Sequence, residues 1–374
     1  MTTLDHLAAL AIHAFYCGEL DAGRRAIDRL LSGRLPPELE MQTRNNRLWY
    51  QTPLDELARC RFSRIDAEPI HEGWSLFNPT ILVVGGTLYG IVRSSNYQII
   101  DGRYVMPEAD GNTIRTDNLL VRLGPDLAVR DVRAIRQPDY ATTDFPVTGL
   151  EDCRLRHTQT GIGVSATIRN AAPFDGNCRI CTADLDIDQA AMSNLIVLSS
   201  LSCQEHEKNW MPLEGGPHHG GWLYAVSHDG HAVTVDRDHR LKDAYLIHRR
   251  QPSPQIASRF RGGGQVCQFG EGYLGVIHEV AMIGGHRAYE HRFVYFDNAL
   301  ALRRISQPFA FREPRAIEFA AGLAVLGDRV VVSFGVRDAE AWLVELSAAD
   351  IDGLLHEPIQ GQDCEDAGRC VAAR

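Results

Sequence analysis

One layout returns five times along this chain, and it constrains the fold more than any other feature. A polar motif, a Gly-rich turn and an apolar strand succeed one another in FNPTILVVGGTLYGIVR (77–93), LEDCRLRHTQTGIGVSATIR (150–169), KNWMPLEGGPHHGGWLYAVS (208–227), GGQVCQFGEGYLGVIHEV (263–280) and IEFAAGLAVLGDRVVVSFGV (317–336). Their anchors Asn78, Asp152, Asn209, Gln265 and Phe319 stand 74, 57, 56 and 54 residues apart. Each period holds one four-stranded unit, so the pattern predicts an all-β fold, a five-bladed β-propeller. Common propeller repeats run to about 40–50 residues, so these periods imply long loops within the blades.

Residues 1–60 obey a different rule. Leu4, Leu7, Ala8, Ala11, Ala14 and Phe15 recur at helical spacing, as do Ala22, Ala26, Ile27, Leu30 and Leu31. Gly18 and Gly33 fit the two helix ends, and Pro36 and Pro37 close the pattern. The expectation is a short α-helical hairpin over 1–60, similar to half of a tetratricopeptide unit. Such a pair cannot bury its own apolar face. It either packs on the rest of the chain, mediates a homo-oligomer or recruits a protein partner. The propeller is expected over 70–350 and a loosely packed tail over 352–374.

Charge and hydropathy narrow the function classes. Lys and Arg total 38 against 48 Asp and Glu, a net charge of −10 without a basic tract. That argues against nucleic-acid binding, which needs clustered cations. No run of about 18 apolar residues exists to span a membrane. The first charge is Asp5, not a basic flank, so the start does not read as a signal peptide and the chain is expected in the cytoplasm. The nine cysteines are odd in number and fit reduced thiols. Cys178 and Cys181 lack a second pair at zinc spacing, and His218-His219 lie in a Gly-rich turn without helical spacing, so neither a metal nor a cofactor is expected.

In a propeller the innermost strands converge on the axis, so one motif per blade meets in one pocket. The motifs supply Asn78 and Arg93; Glu151, Asp152, Arg154, Asn177 and Arg179; Lys208 and Asn209; Gln265, His278 and Glu279; and Glu318 and Asp338. Several cations gather there in an acidic chain. Concentrated cations serve a pocket that binds an anion or stabilises developing negative charge.

The motif series is similar to that of glycoside hydrolase family 130, the five-bladed propeller family of β-mannoside phosphorylases and hydrolases. Its E-D-P-R resembles Glu151-Asp152-Cys153-Arg154, its N-A-R resembles Asn177-Cys178-Arg179, and its K-N resembles Lys208-Asn209. GYLGVIHEV and GDRVVVSFGVRD are similar to its fourth- and fifth-blade strands, ending at His278 and Asp338. The resemblance covers about residues 70–346 and leaves the helical start outside. The chain departs from the pattern at Cys153 for Pro, at Ile277 for Tyr, at Glu279 for Gly, and over YEHRFVYFD (289–297).

The resemblance implies an inverting carbohydrate enzyme acting on β-mannosides. Asp152 would be the general acid. Arg93, Arg179, Lys208 and His278 would hold phosphate, and Asn78, Glu151, Arg154, Asn177, Asn209, Gln265 and Asp338 the sugar. A phosphorylase needs no second carboxylate, because phosphate is itself the charged nucleophile. The expected ligands are a carbohydrate and inorganic phosphate or a sugar phosphate such as mannose 1-phosphate. Alternatives are a glycosyltransferase using a sugar nucleotide or sugar phosphate, and a non-catalytic sugar-binding propeller. A hydrolase ranks lower, with Glu279 and Glu318 as its candidates for a second carboxylate. Trp74, Tyr97, Trp210, Tyr273 and Phe334 are candidates to stack on sugar rings or to pack blades.

Overall fold

The computed structural model of the chain describes residues 3–174, 176–198, 206–237 and 246–358. Strand is the commonest conformation of the described residues. Strand β1 (Cys60–Arg64) comes first, and its partner lies at the far end of the chain. Four antiparallel strands come next as one sheet: β2 (Ser75–Val84), β3 (Thr87–Ser95), β4 (Ile114–Leu123) and β5 (Val129–Ala134). The second sheet is β6 (Glu151–Thr158), β7 (Gly161–Ile168), β8 (Arg179–Asp186) and β9 (Ala191–Val197). The third runs through β10 (Met211–Glu214), β11 (Trp222–His228), β12 (His231–Arg237) and β13 (Leu246–Pro252). The fourth holds β14 (Val266–Phe269), β15 (Gly272–Ile283), β16 (His286–Phe296) and β17 (Leu302–Ile305). The last is β18 (Glu318–Leu326), β19 (Arg329–Val336) and β20 (Glu340–Ser347), with β1 antiparallel to β20 as its outer strand. Further strands of two or three residues decorate the loops. The third and fourth sheets are joined by a short parallel pairing, Leu213 with Val266 and Glu214 with Cys267.

Side-chain burial explains why the sheets stack. Leu82, Ile91, Leu155 and Val164 form a core between the first and second sheets. Ile180, Trp210 and Trp222 do so between the second and third. Val276 and Phe293 meet Leu323 and Phe334 between the fourth and fifth, and Ile81 and Val121 meet Val331 and Leu343 between the fifth and first. The first strands of the five sheets also touch in a circuit: β2 packs on β6 and β18, β6 on β10, β10 on β14, and β14 on β18.

Gln265 sits in the middle of that circuit and is fully buried. Its amide donates to Thr80 Oγ1 (3.2 Å), Ile81 O (2.7 Å) and Leu155 O (2.7 Å), and its carbonyl accepts from Leu323 N (3.1 Å). Three other first strands are thereby tied to one side chain. A Cβ on Gly264 would lie 2.6 Å from the Gly322 backbone, so only glycine fits there. The expectation of Gln265 as a sugar ligand is therefore corrected: every polar atom it has is spent within the scaffold.

The N-terminal region carries more helix than the expected hairpin. Helices α1 (Thr3–Tyr16) and α2 (Leu20–Leu31) form the hairpin, and α3 (Pro37–Arg47) comes after them. Pro37 opens α3, where proline's missing N–H has no helical partner to lose. Ala11, Ala26, Ile27 and Leu31 join one apolar cluster with Met211, Leu223, Ile277 and Val294, wedged between the third and fourth sheets. The hairpin's apolar face is thus covered by the chain itself. The boundaries shift too: β1 begins at Cys60, ahead of the expected start at 70. At the other end, α4 (Ala348–Leu354) buries Ile351 and spans the expected start of the tail, and His356 pairs with Ile305. Residues 359–374 of that tail lie outside the described residues.

Candidate active site

Three of the recurring anchors share a backbone conformation that side chains rarely adopt. Asn78, Asp152 and Asn209 have φ of 47°, 49° and 62°. Asn and Asp tolerate this left-handed region best among residues with a Cβ, yet it still costs about 1 kcal/mol or more each. Asn78 and Asp152 interrupt their strands, because the ladder slips between Phe77 and Thr80 and between Glu151 and Arg154. Asn209 sits just before β10. Each bulge turns its side chain out of the sheet alternation at the start of a first strand.

The bulges bring their side chains together. Asn78 Nδ2 donates to Asp152 Oδ1 (3.0 Å), and Arg93 NH1 donates to the same oxygen (3.1 Å). Arg93 NH2 bonds Glu151 Oε1 (2.7 Å) and Thr116 Oγ1 (3.3 Å). Its guanidinium also lies 5.0 Å from the centre of the Phe77 ring. Burial works against the Arg93 charge, but Tyr97, Glu151 and Asp152 raise its pKa well above the ordinary value. Arg154 is 1% exposed and acts as a second brace. It donates to Gly263 O (2.7 Å), to the backbone oxygen of Asp152 (2.7 Å) and to Asn209 Oδ1 (3.3 Å).

The two aspartates near Arg93 are pushed in opposite directions. Burial works to raise the Asp152 carboxyl, but Arg93 and Arg154 outweigh it and hold Asp152 below the ordinary range. Asp338 is raised, chiefly by burial, although Arg93 and the hydrogen bond from Tyr97 Oη (2.9 Å) oppose that. Asp152 is thus charged in this arrangement. A pair of carboxyls displaced this way is a common mark of acid–base sites.

The cationic cradle differs from the expectation in two of its four members, Arg93 and His278. Arg93 is committed to two carboxylates. His278 is 3% exposed, with its pKa pushed well below the ordinary value by burial and by His291, Arg261 and Arg154, so it is neutral and brings no charge to a phosphate. Arg179 donates to its neighbour's carbonyl, Cys178 O (2.9 Å), and lies over Phe174 (5.0 Å). Lys208 is exposed, its charge acts on Asp152, and it has no hydrogen bond or ion pair among the described residues. Asn177 is half-buried in a turn closed by its backbone N–H to Phe174 O (2.8 Å), outside the cluster's contacts.

Other expectations are corrected by burial. Trp210, Tyr273 and Phe334 are core residues, and Tyr97 is buried too with its hydroxyl on Asp338, so Trp74 is the half-buried member of the aromatic set. Trp74 lines a cavity of about 430 Å³ with Asp110, Thr116, Gln137 and Tyr140, and Thr116 is also the hydroxyl that Arg93 contacts. Glu318 accepts from the backbone of Phe311, Arg312 and Glu313, and Glu279 pairs with Arg44 and Arg47 of α3. Neither faces the Asp152 cluster as a second carboxylate. His218 bonds Asn298 O and His219 accepts from Gly215 N, which uses the paired histidines structurally.

Tyr289 is not singled out by the sequence. Its ring stacks on His278 at 5.4 Å, and its charge interactions reach Asp338, Arg287 and Asp152. Burial pushes its hydroxyl up to about 12, so it is a proton-bearing donor. The one sequence signal for it is the departure at YEHRFVYFD.

No family model matches the chain, and no curated protein does. Solved structures match its fold. A glycosyl hydrolase from Bacteroides ovatus superimposes with a TM-score of 0.51 at 13% identity, covering 83% of this chain and 99% of that one. A β-1,2-mannobiose phosphorylase from Listeria innocua matches at TM-score 0.49 and 14% identity over 78% and 96% of the two chains. A mannose phosphorylase from Leishmania mexicana matches at TM-score 0.45 and 11% identity over 83% and 96%. The likeness to the glycosyl hydrolase is one of fold.

Proposed function

We propose that the chain is a five-bladed β-propeller enzyme that cleaves or forms β-mannosidic bonds with inversion, using inorganic phosphate as nucleophile and mannose 1-phosphate as product or donor. The closed circuit of first strands and the core between successive sheets support the propeller. The observation that carries the function is the charged Asp152 held by Asn78, Arg93 and Arg154, with Lys208 uncommitted beside it.

Asp152 must carry a proton to serve as acid. A phosphate drawn in by Lys208 lays negative charge beside the carboxylate, and a like charge raises a carboxyl's pKa. The acid would therefore form only when the nucleophile is present. A phosphate oxygen then bonds the anomeric carbon as the glycosidic C–O bond breaks, and the Asp152 proton passes to the leaving oxygen. The neutral Tyr289 hydroxyl and the carboxyl of Asp338 lie at hand for sugar or phosphate oxygens. Trp74 and its cavity would seat the acceptor sugar.

Hydrolysis is the second reading, because Arg93 is already paired and His278 is neutral, which leaves a thin cradle. Incubation with β-1,2-mannobiose and phosphate separates the two. Mannose 1-phosphate as product supports phosphorolysis, mannose alone supports hydrolysis, and neither product removes both. GDP-mannose as the sole productive donor would move the case to the transferase alternative, and sugar binding without turnover would leave a non-catalytic propeller.

A further inference from the structure

Two departures from the family pattern meet in space. Glu279 and Glu290 are directly opposed on β15 and β16, 5% and 1% exposed. Two like charges so placed destabilise a hairpin unless something bridges them. Arg47 of α3, itself 3% exposed, does so: NH2 lies 2.7 Å from Glu279 and Nε 2.5 Å from Glu290. Arg44 also pairs with Glu279, and Asp28 of α2 reaches Arg292 at 3.1 Å. These groups share one face of the hairpin. The alternation of strands puts His278, Tyr289 and His291 on the other.

A second contact reaches Tyr289 itself. Gln51, just past α3 and 8% exposed, donates its amide N–H to Tyr289 O (2.5 Å) and accepts from Arg315 N (2.6 Å) with its carbonyl. Tyr289 N donates to Ala316 O (3.0 Å). The helical unit therefore grips the tyrosine by its own carbonyl and by the carboxylate of the next residue.

We propose that the N-terminal helical unit is part of the active-site machinery, with Gln51 and Arg47 as positioning residues that set Tyr289 against the Asp152 and Asp338 carboxylates. Without the helices the hairpin would face its two buried carboxyl groups with Arg292 of its own strand but not with Arg44 and Arg47, and the Tyr289 carbonyl would lose its Gln51 donor. The Glu279 departure and the helical extension are then one device: each side of the contact is costly alone, since an uncompensated buried charge is strongly destabilising.

The kinetic part of the test rests on the function proposed above; the spectroscopic part does not. The full chain is labelled with fluorotyrosine, and the Tyr289 signal is assigned from its loss in Tyr289→Phe. In Gln51→Ala and in Arg47→Met that signal should shift while the Tyr97 signal stays. Gln51→Glu, which keeps the acceptor for Arg315 and loses the donor to Tyr289, guards against loss of the fold and should shift it too. An unmoved Tyr289 signal in folded Gln51→Glu overturns the proposal. With β-1,2-mannobiose and phosphate, Gln51→Glu and Tyr289→Phe should each lower kcat by roughly tenfold, and the double variant by no more than one of them. Additive losses would mark a merely structural role and also overturn it. A shifted signal in a protein without turnover would retain the positioning and reject the function.

Discussion

Asn78 and Asp152 stand 74 residues apart, share the same rare backbone conformation, and are joined by a 3.0 Å hydrogen bond. Each interrupts the first strand of its sheet near its start. Equivalent positions of two repeats thus face one another, and a strained backbone repeated in register marks a place where side chains are aimed rather than packed.

Asp152→Asn should remove turnover almost completely, by about a hundred- to ten-thousandfold in kcat. Circular dichroism should show an unchanged fold, because an amide is nearly isosteric. Retention of more than about a tenth of the activity would remove Asp152 as the proton donor.

Lys208→Ala should raise the KM for phosphate by roughly tenfold or more, the worth of one charged hydrogen bond. Its unfolding midpoint should match the wild type, since Lys208 is exposed and makes no hydrogen bond among the described residues. His278→Gln should leave the salt dependence of phosphate binding unchanged, since a neutral imidazole contributes no charge.

Gln265→Leu should destabilise the chain by about 2–4 kcal/mol, because three carbonyl or hydroxyl acceptors and one buried N–H lose their partner. Denaturant unfolding measures this. The residual folded fraction should keep its KM, which distinguishes a core tie from a sugar ligand.

The pH dependence of stability should carry the imprint of Glu290. Burial raises its carboxyl from 4.5 to about 7, with Glu279 adding to this and Arg47 and Arg292 opposing it. Between those values the folded chain holds a proton that the unfolded chain has released. Stability from this group is therefore greatest below about pH 4.5 and falls as pH rises to about 7. Asp28, Arg44, Arg47, Glu279 and Arg292 are the charges that face this ion cluster. Glu290→Gln should flatten the decline in Tm between about pH 5 and pH 7; an unaltered slope would assign the decline to other groups.

The sequence revealed much of the scaffold and less of the chemistry. The five apolar strands with their turns were readable because periodicity follows from sheet pleating, and Asn78, Asp152 and Asn209 stood out as polar residues at fixed places before them. The pairing state of a charge is not local, so Arg93 read as a free cation although two carboxylates hold it. Gln265 read as a ligand because a motif shows that a polar group recurs, not whether its partners are backbone or solvent. Helix α3 was hidden by its composition: it is mostly polar and buries only Thr43 and Arg47. Tyr289 lies where neither motif nor period pointed, because it stands on β16 and not on a first strand.

The pairing of β1 with β20 has a consequence for synthesis. On the ribosome, residues 60–64 emerge long before residues 340–347 exist to receive them. Phe62, which meets Phe334 in the finished molecule (ring centres 6.1 Å apart), must wait through nearly the whole of translation. The last sheet is completed only by uniting the two ends of the chain, so a prematurely terminated product offers an unmatched strand at each end. Such fragments are natural clients for chaperones and seeds for aggregation.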